Sequence, residues 1–327
     1  MIYKLLILLS IFTISSYSQE EQETKNNENI STLKKDELKY DINLFFPLKV
    51  IHQYRMDEET EVTREYDDGT KYSYKKRLTW FVSFYAQNIS TRDGEKEVYA
   101  AIDSIDYEFD DGKYKAKFNN SGEYIPPAGW DFEKTFLANA KDFTMFYDSY
   151  NKAYDVQSDQ IDADLRSLKK YNGKNAEFKK EQVSRRLSDR DLIFIADPVK
   201  NLLPSTSVSL DSSWKVNFNF DVDFINFANT CSATLSDIAG TNYIIKMKAD
   251  TLYCIDTTML FDDIKKIGKV DAGLASGDLE LSISTRGHVK YLTTNFNATI
   301  FGKIDNIKFI EKKKSRVSWN LVGMWNQ

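Results

Sequence analysis

The sequence predicts a mainly β protein with a helical middle, an α+β fold. Its base is a large curved antiparallel sheet, half-barrel-like, with a few helices packed on one face. Three observations carry this expectation. From Trp214 to Phe224 the even positions are Trp, Val, Phe, Phe, Val, Phe and the odd ones are Lys, Asn, Asn, Asp, Asp, the period of a strand with one dry face. Aromatic residues make up 14% of the chain, with 19 Tyr and 21 Phe, and such residues favour strands. Turn signals of the Asp-Gly kind, at Asp67-Asp68-Gly69, Asp93-Gly94 and Asp110-Asp111-Gly112, separate alternating runs as hairpins require.

Taken in order, residues 1–18 read as a targeting leader. Lys4 supplies the positive end, Leu5 to Ile14 form a short apolar run, and Ser16-Tyr17-Ser18 is a small-x-small cleavage site. Ten apolar residues are too few to span a bilayer. With no cysteine near the site, a lipid anchor is not expected. The expectation is a Sec-type signal and a chain that is periplasmic or secreted, and not membrane-spanning after cleavage. Residues 19–39 are Glu, Lys, Asn and Thr with almost nothing to bury, a disordered tether.

Residues 40–327 are expected to form a single β-rich domain, because no Gly/Ser linker divides them. A first meander covers 40–120. Ile42, Leu44, Phe46 and Val50 begin it, with Pro47 marking an edge or bulge. Leu78, Trp80, Val82, Phe84 and Ala86 form one face of its strongest strand. The stretch 121–204 is expected to hold a hairpin through Asp148 to Asn151 and the helices. Phe132 to Ala140 is a short helix. Ser158 caps a second, with Ile161, Leu165 and Leu168 at i, i+4 and i+7, and a third runs over 175–187. A second meander covers 205–327, with a helix or loop at Leu260 to Lys269 and a last strand through Val317, Trp319 and Leu321.

Composition narrows the chemistry. The formal charge of −5 argues against a nucleic-acid partner. A transmembrane barrel fits poorly with acidic turns and a mean hydropathy of −0.49. Cys231 and Cys254 are the two cysteines. In an oxidising compartment they are a disulfide candidate, the alternative being two buried free thiols. His52 and His288 are the two histidines, and neither has a companion at ligand spacing, so no metal and no cofactor is expected. No GxSxG, HExxH, GxxxxGK[ST] or GxGxxG occurs. The 49 carboxylates cluster in short acidic runs that read as solvated surface, and Glu311-Lys312-Lys313-Lys314 reads as a charged turn.

The aromatic strands are the strongest functional signal. Trp80, Phe84, Trp214, Phe218, Phe220 and Trp319 are the candidates to line a site for an apolar ligand, set against the simpler reading that they fill a core. Four features together resemble an uncharacterised family of exported β-rich proteins of Bacteroidetes-type bacteria. They are the leader without a lipid-attachment cysteine, the strand-rich start, Leu203-Pro204 followed by Ser212-Ser213-Trp214, and Gly277-Asp278-Leu279-Glu280-Leu281 leading to Thr285-Arg286-Gly287. That family has no established activity, so the resemblance implies only export and a β-rich fold.

The leading expectation is a non-enzymatic exported envelope protein. It would bind an apolar small molecule or lipid, or an envelope protein, through its β-sheet. A structural protein–protein module predicts instead a filled core with an exposed apolar patch. An exported hydrolase with an unrecognised site predicts polar groups converging near His52.

Overall fold

A computed structural model describes residues 38–326, apart from 90–93, 120–123, 126–141, 150–152, most of 160–200, 224 and 262–263. The leader, most of the tether and the helix expected at 132–140 lie outside the described residues. The strands are β1 (Val50–Tyr66), β2 (Lys71–Ile89), β3 (Lys96–Asp110), β4 (Lys115–Asn119), β5 (Tyr124–Ile125), β6 (Asp142–Tyr147) and β7 (Ala153–Gln157). The chain continues through β8 (Ser213–Val222), β9 (Ile225–Ala239), β10 (Asn242–Cys254), β11 (Thr258–Phe261), β12 (Lys266–Ser284), β13 (Val289–Ile304) and β14 (Ile307–Asn326). Their order in the sheet is β5-β4-β3-β2-β1-β14-β13-β12-β10-β9-β8, with β11 beside β12, and β6 pairing with both β3 and β7.

The expected α+β class is corrected. Among the described residues 73% lie in strands and 4% in helix, with no helix of seven residues, so the described chain is nearly all β. Within 158–187 the described residues include helical positions at 159, 162–163, 166, 176–178 and 180–181. The long strands carry the fold instead. Leu260 to Lys269 is neither helix nor loop but the β11–β12 hairpin. Glu311 to Lys314 is not a turn; it lies inside the 20-residue β14.

Period two dictates which residues face inward, and register aligns them into rows across the sheet. One row reads Ile105, Trp80, Met56, Trp319, Leu292 from β3 to β13. Two rows further along lie Ala116, Phe109, Lys76, Thr60, Ser315 and Phe296. Beyond them come the rows of Tyr74, Val62, Lys313, Ala298 and of Tyr72, Arg64, Glu311, Ile300. The inner face therefore grades from aromatic to charged along the strands.

The sheet rolls over this inner face. Phe218 and Phe220 of the edge strand β8 stack on Phe296 of β13, with ring centroids at 6.0 and 4.3 Å, although three strands intervene between β8 and β13 in the order. A roll so tight needs small residues on its inside. β12 supplies Gly268, Gly273, Ala275 and Gly277 there. A Cβ on Gly277 would lie 2.6 Å from Cδ1 of Phe296 and collide with the carbonyl oxygen of Asn295.

Residues 40–48 alternate as expected, but they form a strap rather than a full strand. Tyr40 bridges Val208, Phe45 N–H donates to Gly287 O at 2.9 Å, and Leu48 bridges Ala86. Ile42, Leu44 and Phe46 point inward and are buried, so the strap covers the aromatic end of the roll.

Gly277→Ala is expected to destabilise the fold by roughly 1–3 kcal/mol, the usual cost of overpacking. Urea unfolding monitored by tryptophan fluorescence measures it. An unchanged midpoint would mean that Phe296 and the β13 backbone yield freely at this corner.

Candidate functional site

Five of the six aromatic candidates lie on the inner face, each no more than 1% exposed. Trp80 and Trp319 flank Met56 in one row. Phe84, Tyr54 and Trp319 form a cluster with centroids 5.6–6.2 Å apart. Phe218 and Phe220 belong to the separate stack with Phe296 described above. Trp214 stands apart: its indole N–H donates to Leu202 O at 2.9 Å, which ties β8 to the segment preceding it.

At the other end of the roll lies a cluster of charges that the alternation concealed. Asp223 occupies the β8–β9 turn with φ 52°, in the left-handed region that two-residue hairpin turns demand and Asp tolerates. Its carboxylate reaches across the interior to Lys313 of β14 at 2.8 Å and to Lys76 of β2, and it accepts the Tyr74 hydroxyl at 2.5 Å. Lys313 also meets Glu311 at 3.0 Å. Glu311 is paired with Arg64 Nε at 2.6 Å, and the Arg64 guanidinium lies 4.1 Å from the centre of the Phe261 ring.

Burial opposes ionisation of Asp223, but Lys313 and Lys76 outweigh it and hold the carboxyl well below the ordinary range. Burial likewise works against the charge on Lys313, and Asp223 with Glu311 overcomes it, raising its pKa. The Tyr74 hydroxyl is pushed well up, first by burial and then by Asp223. The members pair with one another across the interior, so the cluster acts as a clamp between β8–β9 and the body of the sheet. Such groups in a low-dielectric interior are costly unless matched.

The two histidines come together beneath the strap. Their rings are 5.0 Å apart and nearly perpendicular, with Phe46 beside His52 and Phe45 beside His288. His52 is 1% exposed and its Nε2 has no hydrogen-bond partner. Burial, then His288 and Lys290, lower its pKa to about 4, so it sits neutral. Among the described residues no group of three metal-ligating side chains forms.

The disulfide candidate is corrected: Cys231 and Cys254 are both free thiols. Register explains why. Cys254 stands opposite Phe227 on β9, and Cys231 lies four residues further along that strand, roughly 13 Å away. A disulfide tolerates less than about 7 Å between α-carbons. Burial raises the Cys254 thiol to about 11, which leaves it unreactive.

The outer face carries two kinds of feature. Across β4, β3, β2 and β1 run two rows of long charged side chains, with a groove of about 730 Å³ between them. Its walls neutralise themselves, through Lys75–Glu61 at 2.5 Å, Lys115–Asp110 at 3.0 Å and Lys117–Glu108 at 3.2 Å. On its β14 side the groove is lined by Lys314 and Arg316. Towards the clamp end, in contrast, Tyr253 pairs with Leu274 and Phe301 pairs with Ile310, and Ala272 stands opposite Phe301. These four large side chains are exposed by 56, 48, 41 and 42%. Neighbouring strands thus present one apolar band to solvent, which sequence reasoning missed because each residue alone looks like a core position in the wrong phase. The signal was there in β12, where the bulge between Val270 and Ala272 shifts Leu274 outward.

Asp223→Asn is expected to cost about 3–5 kcal/mol, because it leaves Lys76 and Lys313 buried beside too little negative charge. Chemical denaturation checks this, and a loss under 1 kcal/mol would remove the clamp from the account. For His52, the unfolded imidazole gains its proton near pH 6.5 and the folded one only near 4. Stability is therefore intact above that window and falls as pH drops through it, by about 3 kcal/mol in total. In His52→Gln the slope between pH 6.5 and 4.5 should flatten, and an unchanged slope would assign it to other groups.

No known family pattern and no curated protein matches the chain. Among solved structures it is similar to lipovitellin, studied for its lipid–protein interactions, at 10% identity and a TM-score of 0.44. That alignment covers 86% of this chain and 26% of the lipovitellin chain, so the chain spans about a quarter of that protein's length. It is also similar to an outer membrane channel from Pseudomonas putida F1, at 7% identity, a TM-score of 0.24, and coverage of 87% and 100%. Likenesses at these scores leave function to be argued from the residues themselves.

Proposed function

We propose that this chain is a non-enzymatic exported protein of the cell envelope that binds an apolar partner through its β-sheet, using the outer face. The observation that carries the reading is the exposed band of Tyr253, Leu274, Phe301 and Ile310. Continuous apolar surface of this kind, on a sheet whose other outward positions are charged, marks an interaction site. The inner aromatics support it from the other side, since Phe218, Phe220 and Phe296 are occupied with one another. Export rests on the leader read in residues 1–18.

A second reading, a small apolar molecule or lipid held inside the roll, is favoured by one observation. Trp319 Nε1 and Thr294 Oγ1 occupy adjacent inner rows, both fully buried and without a hydrogen-bond partner. Native mass spectrometry of the chain from residue 19 onward tests it, and a bare monomer mass would count against it.

For the outer-face reading, Leu274→Ser with Phe301→Ser should leave the unfolding midpoint within about 0.5 kcal/mol of the parent, as exposed positions do. The same pair should markedly reduce retention on a phenyl matrix and the fluorescence of a bound naphthalene-sulfonate dye. Retention and fluorescence equal to the parent protein's would refute the band as a binding surface.

A further inference from the structure

The outer band does not lie among neutral neighbours. Directly beyond the Phe301–Ile310 pair, Lys269 pairs with Lys303 and Lys303 with Lys308 across β12, β13 and β14. On the other side, Lys312 takes the position opposite Thr299, with Lys314 one outward position further along β14. Four acids nearby are already engaged, while Asp67, whose N–H donates to Lys308 O at 3.1 Å, stands beside Lys308. Asp305 is bound to Lys266 at 2.6 Å, Asp271 to Lys269 at 3.2 Å, Glu65 to Lys71 at 2.7 Å and Glu61 to Lys75 at 2.5 Å. Among the described residues, Lys303, Lys308, Lys312 and Lys314 make no ion pair within 4 Å. Lys312 and Lys314 lie within electrostatic reach of Glu65 and Glu61, whereas Lys303 has a lysine opposite it on both neighbouring strands.

We infer that the clamp end of the outer face docks on an anionic lipid bilayer surface, with Tyr253, Leu274, Phe301 and Ile310 entering the interface and the flanking lysines meeting lipid phosphates. The inference rests on the outer-face reading above and names its partner. Apolar side chains exposed between lysines that make no direct ion pair are the composition of an interfacial membrane contact, where shallow burial and attraction to anionic headgroups add. The wider surface fits the same picture. Over β1 to β4 many outward charges pair, through Lys71–Glu65, Lys75–Glu61, Arg77–Glu59, Lys115–Asp110 and Lys117–Glu108, so the band's flank of lysines contrasts with them. No described helix is long and apolar enough to span a membrane, and a peripheral contact needs none.

The test uses the chain from residue 19 onward, which retains every described element and lacks the apolar leader. Its sedimentation is measured with vesicles of phosphatidylcholine alone and of phosphatidylcholine mixed with phosphatidylglycerol. The expected result is binding to the mixed vesicles, at least tenfold weaker binding to the neutral ones, and loss of binding when salt is raised well beyond physiological strength. Lys303→Glu with Lys312→Glu should weaken binding tenfold or more, since each lysine near an anionic surface contributes about a factor of five. Leu274→Ser with Phe301→Ser should also weaken it, whereas Lys246→Glu, outward on β10 away from the band, should not.

Equal binding to both vesicle types would overturn the anionic partner while leaving an apolar one standing. Binding that survives Leu274→Ser with Phe301→Ser would overturn both. No vesicle binding together with a dimer abolished by the same pair would overturn the lipid and assign the band to a second copy of the chain. Circular dichroism of each variant confirms that the sheet is intact before its binding is scored.

Discussion

The fold depends on one carboxylate crossing the interior. Asp223 sits at the tip of the β8–β9 hairpin at the sheet's edge and is held by Lys76, Lys313 and Tyr74 from strands at the sheet's middle. Without that attachment, the β8–β9 hairpin would be secured by edge pairing and ring stacking alone, forces that tolerate sliding. Opposite charges in a dry interior do not tolerate it, because separation leaves them unsolvated. The clamp therefore fixes how far the sheet rolls, and through that fixes where Phe218 and Phe220 meet Phe296. The glycines of β12 make the roll sterically feasible; the charges make it specific.

Much of the sheet was legible in the sequence and much of the function was not, for a common reason. Alternation at Trp80–Phe84, Trp214–Phe220 and Val317–Trp319 identified inward aromatics because apolar residues in a period of two admit little else. The same rule hid Arg64, Glu311 and Lys313, which occupy inward positions while having the chemistry of outward ones. A run such as Glu311-Lys312-Lys313-Lys314 carries no mark of which members are buried; register against Thr60 and Phe296 supplies it. Leu274 and Phe301 erred in the opposite direction, as apolar residues on the wet side. The α+β class failed because a few helical positions within 158–187 weigh little beside strands of up to twenty residues. The disulfide failed because closeness in sequence across a hairpin says nothing about offset along it. Whether residues 1–18 and 19–37 behave as read is a matter outside the described residues.

The two faces divide the work. The inner face spends its apolar residues on holding the roll and its charges on setting the curl. The outer face is rich in salt bridges over β1 to β4, and carries apolar side chains beside lysines where β10, β12, β13 and β14 approach the clamp. Stability and recognition thus draw on different residues, although β14 serves both: Glu311 and Lys313 point into the clamp while Ile310, Lys312 and Lys314 point away from it. A single strand couples the rigidity of the interior to the surface offered outside.

The pairing of β1 with β14 along nearly their whole lengths has a consequence in time. The strand nearest the start of the chain finds its second neighbour only when the final twenty residues arrive, a loop closure of some 250 positions. Until then β1 presents an open edge, with Asp57, Glu58, Glu59, Glu61 and Glu65 along it, and the first four strands can form no more than a partial sheet. Long-range closures of this kind make for slow folding and for exposed intermediates. The carboxylates along β1 blunt that edge in the meantime, and the last strand to arrive is the one that closes it.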